Sequence, residues 1–288
     1  MVTPDLLATC WTSAGDVMPA RTGDRSPIGI ERRIKAVAAA GYRGFGLSHA
    51  DLVAARDEIG LPRLADLFAT HGLVHIELEV VDQWWATGPV RAASDRVRAD
   101  LLAAAAVLGA RHVKVGVGVL GDRYDPAVLR ESFAALASEA AEAGTRIALE
   151  ACAFSSMPTL EPAVRLVTDV AHPGAGLLLD IWHIYRSGMD YRTMAAIVPA
   201  EYLFAVELDD GSATQLGSGL DDTFDNRVLC GQGDFDVAAF IDAVAGLGYD
   251  GPWGVEMMSH NHRALEPEIA VAEAFDAARQ CLTIRRKP

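Results

Sequence analysis

One pattern of apolar and polar positions recurs along the chain. An alanine-rich amphipathic stretch ends in glycine, and a short apolar run follows within a few residues. The instances are AVAAAGYRGFGL, FATHGLVHIELEV, AAVLGARHVKVGV, AAEAGTRIALE and AVAGLGYDGPWGVE. Ile30, Ile34 and Val37 mark one helical apolar face, and Phe240, Val244 and Leu247 another. Glycine suits the end of a helix because it tolerates positive φ. The apolar run after it reads as a strand buried on both faces, as in a parallel sheet. Gly41, Gly72, Gly109 and Gly144 stand 31, 37 and 35 residues apart, close to one βα unit per step.

Eight strand cores can be located: Leu6–Thr9, Gly44–Leu47, Val74–Val80, His112–Val117, Ile147–Glu150, Gly176–Asp180, Leu203–Leu208 and Trp253–Glu256. Helical patterns lie between them. Eight such units predict an α/β fold of the (βα)8 barrel kind, one domain over residues 1–288. An open doubly wound sheet is the alternative. The strand count disfavours it, as does the absence of a G-x-G-x-x-G turn after the first strand. The longest loop-like stretch, Asp209–Asn226, follows the seventh strand and is expected to cover a site.

Composition narrows the function classes. Hydrophobic residues make up 51% of the 288, enough for a sizeable core. The formal net charge of −14 repels phosphate backbones and anionic membranes, so neither nucleic acid nor membrane is an expected partner. No apolar run is long enough to span a bilayer. The N-terminus lacks a basic segment followed by an apolar one, so a cytoplasmic protein is expected. Cys10, Cys152, Cys230 and Cys281 are far apart, with no C-x-x-C pair, and read as reduced thiols. The basic tail Arg285-Arg286-Lys287 reads as a solvated terminus.

The candidate chemistry sits at strand ends, where barrels build their sites. The fifth strand, IALE, ends in Glu150. The sixth, LLLD, ends in Asp180. The seventh, FAVELDD, carries Glu207, and the eighth, WGVE, ends in Glu256. Any one of these taken alone is more often a helix cap or a loop ligand. Four on neighbouring strands repel one another unless a cation neutralises them, and a hard divalent ion suits oxygen ligands. Asp209 and Asp210 are expected to be turn formers. Glu77 and Glu79 share a strand face, and one of them is a candidate to point into the site. His183 lies one turn beyond Asp180 and is a candidate donor to a substrate oxygen. His49 follows the second strand, and its neighbour Asp51 is expected to cap a helix. Lys114, inside HVKVGV, is unusual for a barrel strand, with outward snorkelling as its ordinary explanation. Trp11, Trp84 and Trp85 are expected to wall a polyol site or to plug the barrel mouth.

These residues together resemble the sugar-phosphate isomerase/epimerase family, of the xylose-isomerase-like TIM barrel superfamily, across nearly the whole chain. The resemblance rests on Glu150, on D-x-x-H at Asp180 and His183, and on the block RVLCGQGDFDVAAFIDAVAGLGYDGPWGVE, which holds Arg227 and Glu256. It implies that Glu150, Asp180 and Glu256 bind a divalent metal, manganese first, with magnesium or cobalt as alternatives. It implies that Glu150 and Glu256 also exchange protons with substrate, and that His183 and Arg227 hold substrate oxygens. The sequence departs from the family twice. The strand-seven ligand, usually histidine, is Glu207, which favours Mn²⁺ or Mg²⁺ over Zn²⁺. The loop after the fifth strand, ACAFSSMPT, lacks the glutamate of ketose epimerases.

The expected activity is a metal-dependent isomerase or epimerase acting on a sugar or keto-polyol by proton transfer through an enediolate. The alternative is a lyase that dehydrates a keto-polyol or a cyclic keto acid of the inosose or 3-dehydroshikimate type. The expected partner is a small carbohydrate-like substrate, with a homodimer as a possible assembly.

Overall fold

The computed structural model describes residues 4–19, 21–118 and 121–283, so the basic tail lies outside the described residues. Its strands are β1 (Leu6–Ala8), β2 (Gly44–Ser48), β3 (His75–Val81), β4 (His112–Val115), β5 (Ile147–Glu150), β6 (Ala175–Asp180), β7 (Leu203–Leu208) and β8 (Trp253–Val255). Each pairs in parallel with the next, and β1 closes on β8, giving a closed barrel with helices between the strands. The expected strands are all present, with small shifts at their ends. β4 stops at Val115 and β8 at Val255, so Glu256 stands one residue past its strand.

The loop expectation for Asp209–Asn226 is corrected in part. Residues Gly219–Asp225 form a helix, with the Ser218 side chain accepting a hydrogen bond from the Asp221 N–H. Serine at the cap and acidic residues in the first turn satisfy the free N–H groups and the positive helix end. The glycine endings behave as read: Gly41 closes helix Ile30–Ala40 at φ 109°, a left-handed turn that a side chain would strain.

The period of two along each strand separates two environments. Ile76 and Leu78, Val113 and Val115, Leu177 and Leu179, and Val206 and Leu208 all belong to the large core between barrel and helices. Each fully buried side chain of this kind stabilises the fold by about 2 kcal/mol at most. The alternate positions point into the barrel. Its lower interior holds a separate small cluster of Ala148, Leu178, Phe204 and Ala205. The same inward rows continue upward through Glu77 and Glu79, Lys114, Glu150, Asp180, Glu207 and Glu256, all buried. Strands that look apolar throughout therefore carry charge on one face only, concentrated inside the barrel.

Candidate active site

Four carboxylates predicted from the strand ends do converge. Glu150, Asp180, Glu207 and Glu256 each offer an oxygen, and these oxygens lie within 4.8 Å of one another. The register explains this, since Asp180 is level with Glu207, and Glu207 with Gly254. Gly254 leaves the space that Glu207 fills. A Cβ there would stand 2.8 Å from Glu207 Cγ and 2.9 Å from the Val206 carbonyl.

Two side-chain cations are already in the cluster. Lys114 does not snorkel outward. It is buried, with Nζ 2.7 Å from Glu207 Oε1, 3.0 Å from Glu256 Oε1 and 3.1 Å from Glu79 Oε2. The physical reason is its strand face: outward lie the apolar helices, inward lie carboxylates. Arg227, 1% exposed, donates to Asp180 Oδ2 at 2.8 Å and to Asp209, and its Nη2 is 3.0 Å from Glu256 Oε2. Its guanidinium thus ties β6, β7 and β8 together at the rim, in addition to any contact it makes with substrate. Asp209 and Asp210 are not simple turn residues. Both are fully buried. Asp209 is a partner of Arg227, and Asp210 accepts backbone N–H bonds from Gly211, Gly231, Gly233 and Phe235, fastening the segment after β7.

Burial and neighbours drive the carboxyls apart. Burial raises Glu150 to about 8, with Glu256 and Asp180 adding to the rise against the opposing pull of Lys114. Glu256 is held down at about 2, because Lys114 and Arg227 outweigh the cost of its burial. Glu207 is raised by burial and by Glu256, and Glu79 reaches about 7, mainly through burial. Burial lowers His183 to about 4, so its ring is neutral. Its Nδ1 accepts the Ala153 N–H at 3.2 Å, which leaves the proton on Nε2, 3.7 Å from both Glu150 Oε1 and Asp180 Oδ2.

The residues fit a divalent metal. Among the described residues, seven carboxyl groups (Glu77, Glu79, Glu150, Asp180, Glu207, Asp209, Glu256) face Lys114 and Arg227 as their permanent cations. Among the described residues Glu150 Oε1, Glu207 Oε2 and Asp209 Oδ1 are buried without a hydrogen-bond partner. Glu207 Oε1 is also without one and meets Lys114 as an ion pair at 2.7 Å. Orphaned buried carboxylate oxygens call for a cation, and an all-oxygen set matches a hard one.

Above the carboxylates opens a cavity of about 450 Å³, the size of a small-ligand site. Glu79, Lys114, Glu150, His183, Arg227 and Glu256 form its floor, and Trp11, Val80, Leu220, Phe224 and Met258 its walls. The tryptophans divide. Trp11 lines the cavity, whereas Trp84 and Trp85 are buried and donate to the Gly116 and Arg123 carbonyls. His49 borders the cavity and pairs with Asp100 at 2.9 Å. Asp51 does not cap the helix His49–Ile59. Ser48 does, and Asp51 instead binds Arg33 and the Ser26 N–H. Of the strand-three pair, Glu79 faces the site and Glu77 pairs with His112 at 2.8 Å below it.

A closed parallel barrel with four carboxylates converging at its rim defines the architecture of this chain. A family model described as a xylose isomerase-like TIM barrel matches residues 34–281, and the chain belongs to that family. It is 30% identical over 265 residues to a 3-dehydroshikimate dehydratase of Pseudomonas aeruginosa, which covers 90% of this chain but 40% of that protein. The chain thus spans about two fifths of that relative's length. An inosose isomerase of Bacillus subtilis is 27% identical over 133 residues, 46% of each chain. The solved structure of an IOLI protein with a bound zinc atom superposes with a TM-score of 0.80 at 18% identity, covering 98% of this chain and all of that one. This last likeness bears on the fold.

Proposed function

We propose that this chain is a divalent-metal-dependent enzyme that removes a proton from carbon beside a carbonyl of a small polyol-like substrate. We further propose that it completes the reaction as a lyase, expelling water. The observation that carries the reading is geometric: Glu150 and Glu256 line one cavity floor, and each also offers an oxygen to the four-carboxylate group. Two carboxyls that face one substrate can divide into base and acid.

Asp180 and Glu207, with one oxygen each of Glu150 and Glu256, would hold the metal. When bound, it supplies positive charge to the substrate oxygen on which charge develops. The ionised Glu256 takes the α-proton, and the electron pair moves toward the carbonyl oxygen as an enolate. The neutral Glu150 gives its proton to the β-hydroxyl as that C–O bond breaks, and water and an enone leave. His183 Nε2–H donates to a substrate oxygen. Arg227 keeps Asp180 and Glu256 in place. Cavity volume and hydrophobic walls suit a single ring with one polar edge.

Dehydration is favoured by the 3-dehydroshikimate dehydratases among the relatives and by the lack of a carboxylate in ACAFSSMPT. An isomerase or epimerase is the second reading, favoured by Glu79, a further proton-exchanging carboxyl on the floor near neutrality. The test incubates the Mn²⁺-loaded protein with cyclic keto acids and keto-polyols in D₂O. Enone absorbance and loss of water by mass support the lyase. Deuterium in recovered substrate or in an epimer, with no enone, supports the second reading and overturns the first. Neither signal from the loaded protein overturns both.

A further inference from the structure

The floor carries one group that the proposed chemistry leaves unused. Lys114 is a fully buried ammonium whose three carboxylate partners come from β3, β7 and the end of β8. Two of them, Glu207 and Glu256, belong to the four-carboxylate group. A metal–oxygen bond to such an ion is about 2.1 Å long. An ion bound to Glu207 Oε1, itself 2.7 Å from Nζ, would therefore lie no more than about 5 Å from the ammonium nitrogen. Two positive charges that close, with both partners buried, repel strongly. The carboxylate oxygens are also shared, since an oxygen that coordinates a dication is a poorer partner for an ammonium.

We propose that Lys114 is a built-in competitor for the metal: its ammonium serves as the counter-ion of Glu207 and Glu256 and must yield them when the ion enters. Lys114 then keeps Glu79, its third partner, at the cavity floor. The lysine keeps the carboxylate cluster folded without metal and weakens metal affinity. Arg227 serves a different set, Asp180 and Asp209 besides the far oxygen of Glu256, and Glu207 is the partner of Lys114 instead. The strand sets this division. Lys114 rises from β4, level with Ala148 of β5, and reaches across the barrel to β7 and β8. This inference rests on the metal reading above.

The experiment measures Mn²⁺ binding by calorimetry, and the Mn²⁺-induced rise in Tm, for chelator-treated wild type, Lys114→Met and Lys114→Gln. Both variants remove the charge, and Gln retains hydrogen-bonding capacity should Met fail to fold. The expected result is Mn²⁺ affinity raised at least about tenfold in the variants, with a larger Tm rise. A variant that folds only when Mn²⁺ is present also supports the proposal. Equal or weaker affinity in the variants overturns it while leaving the metal reading standing. No Mn²⁺ binding by wild type or variants at millimolar concentration overturns both.

Discussion

Replacing Arg227 by methionine isolates the electrostatics of the rim from its chemistry. The guanidinium is 1% exposed and serves Asp180, Asp209 and Glu256 together. Methionine fills most of the volume but leaves these carboxylates buried with Lys114 as the nearest remaining cation, in contact with Glu256 alone of the three. Removing one member of a buried ion cluster costs about 3–5 kcal/mol, because the surviving charges are stranded away from water. For a domain of this size that corresponds to a Tm lowered by roughly 10 °C. Part of the cost is recovered by protonation, since Asp209 is already pushed up by burial and by Asp180. The double variant Arg227→Met/Asp209→Asn removes one stranded charge, so it is expected to be less destabilised than the sum of the two single variants by about 1–3 kcal/mol. Urea unfolding of the chelator-treated proteins, followed by circular dichroism, measures all four corners of the cycle. A single-variant loss below about 1 kcal/mol, or additive effects, would refute the view that Arg227 is the counter-ion on which the rim depends.

Glu256→Gln is expected to lower turnover by about 10²–10⁴-fold with little change in the circular dichroism spectrum, since it removes the base and keeps the shape; a variant that retains turnover would take Glu256 out of the reaction. Gly254→Ala places a methyl 2.8 Å from Glu207 Cγ, so it should destabilise by about 1–3 kcal/mol and weaken Mn²⁺ binding, with titration calorimetry as the check. In metal-free protein the raised Glu150 keeps its proton up to about pH 8, while the unfolded chain releases it near the ordinary glutamate value of 4.5. The native state then binds more protons, so stability falls as pH rises from about 5 to 8, by at most about 1.4 kcal/mol per unit, and Glu150→Gln should flatten that slope in urea titrations. His183 has the opposite sign. Held near 4 by burial against an ordinary 6.5, it contributes stability that is lost as pH falls through that window, and His183→Asn should reduce the acid-side loss.

Much of the architecture was written in periodicity. Glycine-ended helices alternating with short apolar runs specify eight βα units, because the helix period and the buried parallel strand each leave a local mark. The four terminal carboxylates were legible for the same reason: each ends a recognisable strand, and strand ends of a barrel meet at one rim. Lys114 and Asp209 were not legible in that way. A lysine among valines has two faces to choose between, and only the closed barrel shows that one holds apolar helices and the other three carboxylates. Asp209 looks like a turn former because its partner, Arg227, lies 18 residues away, beyond a helix and next to Asp180. Local pattern and composition suffice for the repeating unit, the strand ends and the excess of negative charge. Which charges neutralise which is set only once the barrel closes, because burial and the distance to a counter-ion have no signature in local sequence.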